Sequence, residues 1–180
     1  MTKQPDIEDI RWKPSCDRSV MRARAQMYAD IRAFFAERSV LEVETSVLSQ
    51  HATTDVHIQS IQAGNRFLHT SPEFAMKRLL AAGSGCIYQI CKAFRQEETG
   101  RKHNTEFSML EWYRVGFNHF DLMDEVDALL MEVMATQSSD KLTYQQAFKE
   151  YVGVDPLDTT DTALLNAMRD NNIDIHEPET

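Results

Sequence analysis

From Val20 onward the apolar positions fall at Val20, Ala23, Met27, Ile31, Phe34 and Phe35. Steps of mostly three or four predict an amphipathic helix with one buried stripe. Val40–Thr45 then alternates as V-L-E-V-E-T with β-branched residues, the pattern of a strand. Residues 46–66 are polar and irregular, with room for a short strand at Val56–Ile61. Ser71-Pro72-Glu73 predicts a helix start: serine can cap free amides, proline suits the first helical position, and glutamate favours the positive helix end. Met76, Leu79 and Leu80 give that helix an apolar face, and Gly83 suits the residue after its end.

Ile87–Phe94 and Phe107–Val115 read as strands, and the polar stretch Gln96–Thr105 joins them into a long antiparallel hairpin. Leu122, Val126, Leu129, Leu130 and Val133 mark a further helix. Thr143 and Gln146 form a capping-box pattern before a short helix ending near Gly153, and a last helix is expected from about Asp161 to Asp170. Residues 1–18, with Pro5 and Pro14, read as an extended arm before one domain over 19–180.

Composition narrows the class. In 180 residues, 42% apolar and 26% charged, there is enough material for a core. No apolar run is long enough to span a bilayer, and the polar start is no signal peptide, so a cytoplasmic protein without membrane partners is expected. Cys16, Cys86 and Cys91 are odd in number and form no CxxC, which fits reduced thiols. A net charge of −9 gives no support for a large nucleic-acid face. Basic residues gather instead at Arg95, Arg101, Lys102 and His103, a local cluster suited to a small anion. His51, His57, His69, His119 and His176 show no metal-ligand spacing, so no metal site is assigned to this chain.

The segment FRQEETGRKHNTEFSMLEWY, Phe94–Tyr113, resembles motif 2 of the class II aminoacyl-tRNA synthetases in its lysyl-type version, FRxE, loop, HNxEFxMxE. The preceding helix with Leu41–Ser46 (LEVETS) resembles motif 1, over about residues 20–46. TSPEFAMKRLL, Thr70–Leu80, resembles the helix that lines the amino-acid pocket in this subgroup. The resemblance implies an α+β fold, an antiparallel sheet flanked by helices. It also implies an ATP-dependent ligase that joins a carboxylate to the α-phosphate of ATP as an aminoacyl-adenylate.

The same resemblance implies the roles. Arg95 is the catalytic guanidinium that meets both anions, a task for which its planar fork suits it better than an ammonium. Glu97 faces the adenine edge, Arg101 and His103 meet the outer phosphates, and Phe107 stacks on adenine. Ser71, Glu73, Glu111 and Tyr113 surround a lysine-like substrate. Each has a plainer reading. Arg95 and Glu97 could form a surface pair, Phe107 could be core, Glu73 needs no ligand at a helix start, and Ser71 could serve mainly as a cap.

Within the family, the few residues before the motif 1 helix leave no room for an anticodon-binding domain. TSPEF and LTYQQAF also resemble the paralogues that attach lysine or β-lysine to elongation factor P. The expected acceptor is therefore a lysine of elongation factor P and not tRNA. A tRNA-charging synthetase and a catalytically silent amino-acid-binding paralogue are the alternatives. Two departures qualify the match. Ser46 stands where motif 1 ends in proline, at the expected homodimer contact of the motif 1 helix. Motif 3, with its ATP-binding arginine and the later magnesium-binding acids, is absent before Thr180. The sheet is thus expected to be incomplete, the magnesium ligands to lie beyond residue 180, and the 180-residue chain alone to be inactive.

Overall fold

The hairpin predicted around residue 100 is the centre of the fold. In the computed structural model, which describes residues 13–96, 100 and 103–173, Ile31, Phe34, Phe35, Val40, Tyr88 and Leu129 form the buried core cluster. Helix α1, Arg18–Glu37, begins where the Asp17 carboxylate accepts from the amides of Ser19 and Val20. It buries Ile31, Phe34 and Phe35, the end of its predicted stripe. The chain then passes through β1 (Leu41–Glu42), β2 (Leu48–Ser49), β3 (Gln62–Ala63) and β4 (Arg66–Leu68) to α2 (Glu73–Ala81). Strands β5 (Ile87–Phe94) and β6 (Glu106–Tyr113) pair antiparallel, from Ile87↔Tyr113 at one end to Phe94↔Glu106 at the other. Helix α3, His119–Met134, follows, with Asn118 and Asp121 in a capping box.

The alternation of the hairpin divides its residues between two faces. Tyr88, Ile90, Leu110 and Trp112 lie on one, packed with α1 and α3. The ring of Phe35 stacks on Tyr88 at 4.5 Å and meets Trp112 at 5.5 Å, while Leu129 of α3 joins the same cluster. Glu125 fastens α3 to the hairpin. It accepts from Trp112 Nε1 at 3.0 Å and lies 3.2 Å from Arg114 Nε. The opposite face carries Gln89, Cys91, Phe107, Glu111 and Tyr113.

The fold is α+β, as expected, with differences in detail. The sheet is not wholly antiparallel, because β1 joins β5 in parallel. The long excursion from 43 to 86 supplies the crossover that a parallel pair needs. The predicted strand Val40–Thr45 contracts to Leu41–Glu42, with pairing continued by the Val43 amide to the Tyr88 carbonyl at 2.9 Å. The strand expected at Val56–Ile61 is absent. The irregular stretch instead feeds a second sheet, ordered β2-β4-β3. Strands of two or three residues are too short to display an alternation, but the Gly64–Asn65 turn, with Gly64 at φ 64°, was a signal for the β3–β4 hairpin. Pro72 is the residue before α2 and not its first helical residue. The Ser71 hydroxyl nevertheless accepts from the Glu73 amide at 3.2 Å, and Gly83 follows the helix at φ 88°.

The chain divides after Thr136 into two compact units. The second holds α4 (Tyr144–Val152), started by the Thr143–Gln146 capping box and ended by Gly153 at φ 75°, and α5 (Asp161–Asp170), capped by Thr160. Asp155 ties the end of α4 to the following turn by accepting from Lys149 at 2.6 Å and from Gln145 at 2.8 and 2.9 Å. Among the described residues, no helix is long and apolar enough to cross a membrane. Cys16, Cys86 and Cys91 are free thiols.

Candidate active site

The hairpin face that turns away from the helical core carries four of the residues singled out from sequence: Arg95, Phe107, Glu111 and Tyr113. Arg95 follows β5 directly, and its amide extends the ladder by donating to the Thr105 carbonyl at 2.9 Å. Its Nε lies 3.4 Å from the buried Thr70 carbonyl, and its guanidinium carbon is 5.2 Å from the centre of the Phe107 ring. Cation and aromatic face are therefore neighbours, close enough to act on one ligand. Phe107 is half-buried, pairs with Ala93 across the hairpin and is absent from the helical core cluster. His103 is exposed near the hairpin tip, where its amide and carbonyl exchange bonds with Gly100, both at 3.2 Å. Glu97 and Arg101 lie outside the described residues.

Further along the same face, Glu111 stands opposite Gln89, and Tyr113 opposite Ile87. Two positions apart on one strand, Tyr113 and Glu111 point the same way, and the phenol donates to Glu111 Oε1 at 2.7 Å. Burial pushes the Tyr113 phenol well above its ordinary range, helped by the hydrogen bond to Glu111 and by the charges of Glu111 and Glu73. It is held as a neutral donor. Glu73, in the first turn of α2, pairs with Lys77 at 2.5 Å. Lys77 in turn holds its proton more tightly than usual, chiefly through Glu73 and to a smaller degree through Glu111. Glu73, Lys77, Glu111 and Tyr113 thus share one electrostatic neighbourhood with two carboxylates and a single ammonium. The surplus negative charge suits a cationic ligand. Ser71, next to this group in sequence, accepts from the Glu73 amide.

Two participants were missed in the sequence. Lys77 was signalled by its spacing of four from Glu73 on one helix face. Gln89 is 1% exposed; its Oε1 accepts from Thr45 Oγ1 at 3.0 Å, while its Nε2 has no partner among the described residues. The signal was its odd-numbered place on β5, shared with Cys91. Burial raises the Cys91 thiol above its ordinary range, and the neighbouring Gln89 side chain partly offsets that rise. A buried amide with an unmet donor on this face is a costly feature in an apolar setting.

The family described as tRNA synthetases class II (D, K and N) matches residues 10–174. The chain belongs to this family. Among its relatives, the elongation factor P–(R)-β-lysine ligase of Vibrio vulnificus (strain YJ016) is 52% identical over 179 residues, covering 93% of this chain and 55% of the relative. The protein of the same name from Vibrio atlanticus (strain LGP32) is 50% identical with the same coverage. That of Avibacterium paragallinarum is 43% identical over 183 residues, 96% of this chain and 57% of the relative. The chain therefore spans about half the length of the curated relatives it matches. Among solved structures, asparaginyl-tRNA synthetase from Pyrococcus horikoshii, complexed with asparaginyl-adenylate, superposes with a TM-score of 0.58 at 18% identity, over 65% of this chain and 28% of that one. That likeness establishes the class II fold alone. On one continuous stretch of chain, the hairpin carries Arg95 and Phe107 near its turn and Glu111 and Tyr113 toward its open end.

Proposed function

We propose that this chain supplies ATP and amino-acid contacts for activating lysine or β-lysine as an aminoacyl-adenylate and passing the acyl group to a lysine of elongation factor P. The observation that carries this reading is the roughly 50% identity to proteins named elongation factor P–(R)-β-lysine ligase. The geometry supports it with two poles on one hairpin face, a cationic–aromatic end for a nucleotide and an anionic end for an ammonium. In this reading Arg95 draws the substrate carboxylate and the α-phosphate together and stabilises charge on the phosphate oxygens. Phe107 offers its ring to adenine, and Glu97, Arg101 and His103 complete the nucleotide contacts. Glu73 and Glu111 take up the substrate ammonium groups, with Tyr113 and Ser71 as neutral neighbours.

A carboxylate oxygen bonds to the α-phosphorus as pyrophosphate departs. The acceptor's ε-amine then bonds to the acyl carbon, AMP departs with the electron pair, and the amine loses a proton to water. Among the described residues, no group of three His, Cys, Asp or Glu could hold a metal ion. A homodimer formed through α1 belongs to the same proposal.

A chimera tests the reading. Residues 1–174 replace the matching segment of the Vibrio vulnificus relative, and the product receives ATP and labelled β-lysine with either elongation factor P or tRNA. Label should enter elongation factor P. Charging of tRNA without protein labelling would favour a tRNA synthetase, and binding without any transfer would favour a silent paralogue.

A further inference from the structure

A cavity of about 440 Å³ opens between the small sheet β2-β4-β3 and helix α2. None of Arg95, Phe107, Glu111 or Tyr113 lines it. Helix α2 presents Phe74 and Arg78 to this cavity, whereas Glu73 and Lys77, one position earlier in each case, pair on the neighbouring flank. The two sites are therefore distinct, although they share the Thr70–Ser71 corner.

The charge inventory of the cavity is one-sided. Arg66 and Arg78 line it with His51 and His69, and no aspartate or glutamate does so among the described residues. Neither guanidinium has a hydrogen-bond or ion-pair partner among the described residues. Arg32, Arg38 and Arg114 all have an acidic group within reach. In a chain of net charge −9, two unpaired guanidiniums on one cavity are a local exception to the prevailing sign. Hydroxyls add donors. Ser49 and Ser60 each accept a backbone amide, from His51 at 3.3 Å and Thr53 at 3.2 Å, which leaves their O–H groups free to donate. Planar guanidiniums and hydroxyls together match a tetrahedral oxyanion.

Size and shape extend the argument. The volume lies within the range of small-molecule sites, about 300–1,000 Å³, and is far more than a bare phosphate fills. Phe74, a large ring left 60% exposed, offers an apolar wall. We propose that this cavity binds a small organic phosphate, with the phosphate on Arg66 and Arg78 and the apolar part against Phe74. The proposal stands independently of adenylate chemistry on the hairpin.

The probe is phenyl phosphate, with inorganic phosphate and phenol for comparison, titrated into the 180-residue chain by calorimetry and followed through backbone amide NMR shifts. Phenyl phosphate should bind saturably at one site, more tightly than inorganic phosphate, while phenol does not bind. The shifts should centre on residues 46–53 and 66–78. Arg66→Gln and Arg78→Gln, singly and together, should leave thermal unfolding unchanged, because neither side chain has a partner to lose among the described residues. Together they should weaken phenyl phosphate about tenfold or more. Arg95→Gln should leave binding intact. Absence of saturation, affinity no better than that of inorganic phosphate, or indifference to both cavity substitutions would overturn the proposal. So would equal loss in Arg95→Gln, which would move the phosphate to the hairpin.

Discussion

Arg95 and Phe107 are twelve positions apart in the sequence and neighbours in space, because the β5–β6 register carries Arg95 past the last ladder pair and places Phe107 opposite Ala93. In the chimera, Arg95→Ala should slow ATP–pyrophosphate exchange by about 10²-fold, the scale of one lost charge-stabilising donor. Arg95→Lys should fail to restore it, since an ammonium lacks the planar two-point contact. Exchange near the parent rate in Arg95→Ala would remove this residue from the mechanism. Phe107→Leu keeps most of the volume and loses the aromatic face. Because Phe107 is only half-buried, the change should cost under about 1.5 kcal/mol of stability. It should raise the KM for ATP about threefold to tenfold. A large stability loss with normal KM would instead establish Phe107 as a core residue.

At the level of elements, the hairpin works because its two faces have different tasks. The face toward α1 and α3 supplies packing, and Glu125 is the polar anchor within it. Its carboxylate is buried and serves both Trp112 and Arg114. Glu125→Ala removes the acceptor of the indole N–H and the ion-pair partner of a guanidinium. Breaking such a buried pair costs about 3 kcal/mol or more, which urea unfolding of the chain would read as a lower midpoint. An unchanged midpoint would mean that the anchor contributes nothing to α3 docking.

The α4 turn offers a test in pH. Hydrogen bonds from Lys149 and Gln145 lower the Asp155 carboxyl from 3.8 to about 2. A depressed carboxyl stabilises the fold above its unfolded value and loses that contribution as pH falls toward the folded one. The stability gap between the parent chain and Asp155→Asn should therefore be constant above pH 5. It should close between about pH 4 and pH 2. A gap that persists unchanged at pH 2 would exclude this carboxylate as its source.

On the scale of the whole molecule, the chain divides between Thr136 and Gln137, within an exposed stretch from 135 to 143 that has no regular structure. Exposed backbone without ladder or helix bonds opens at little cost and reaches a protease readily. Brief trypsin treatment should cut first at Lys141 and leave a fragment that retains α1 through α3 and the hairpin. Mass spectrometry of the early products checks this, and first cuts inside α1 or the hairpin would contradict the division. The net charge of −9 conceals a patchwork in which a basic cavity and a group of acidic side chains adjoin one helix.

Helix existence and the long hairpin were legible in the chain itself, because α1, α3, α4 and α5 carry complete periodic stripes or caps and β5 and β6 run eight residues each. The Arg95, Phe107, Glu111 and Tyr113 grouping was legible for the same reason: one local hairpin register sets their spacing. The parallel pairing of β1 and the small sheet were not, since strands of two or three residues draw their hydrogen bonds from distant partners and leave no local pattern. The approach of Glu73 and Lys77 on α2 to Glu111 and Tyr113 on β6, the burial of Gln89, and the gathering of Arg66 and Arg78 on one cavity were likewise decided only by tertiary structure. A local sequence states what each side chain can donate, accept or bury. Which of those capacities are met depends on groups that folding brings from elsewhere in the chain.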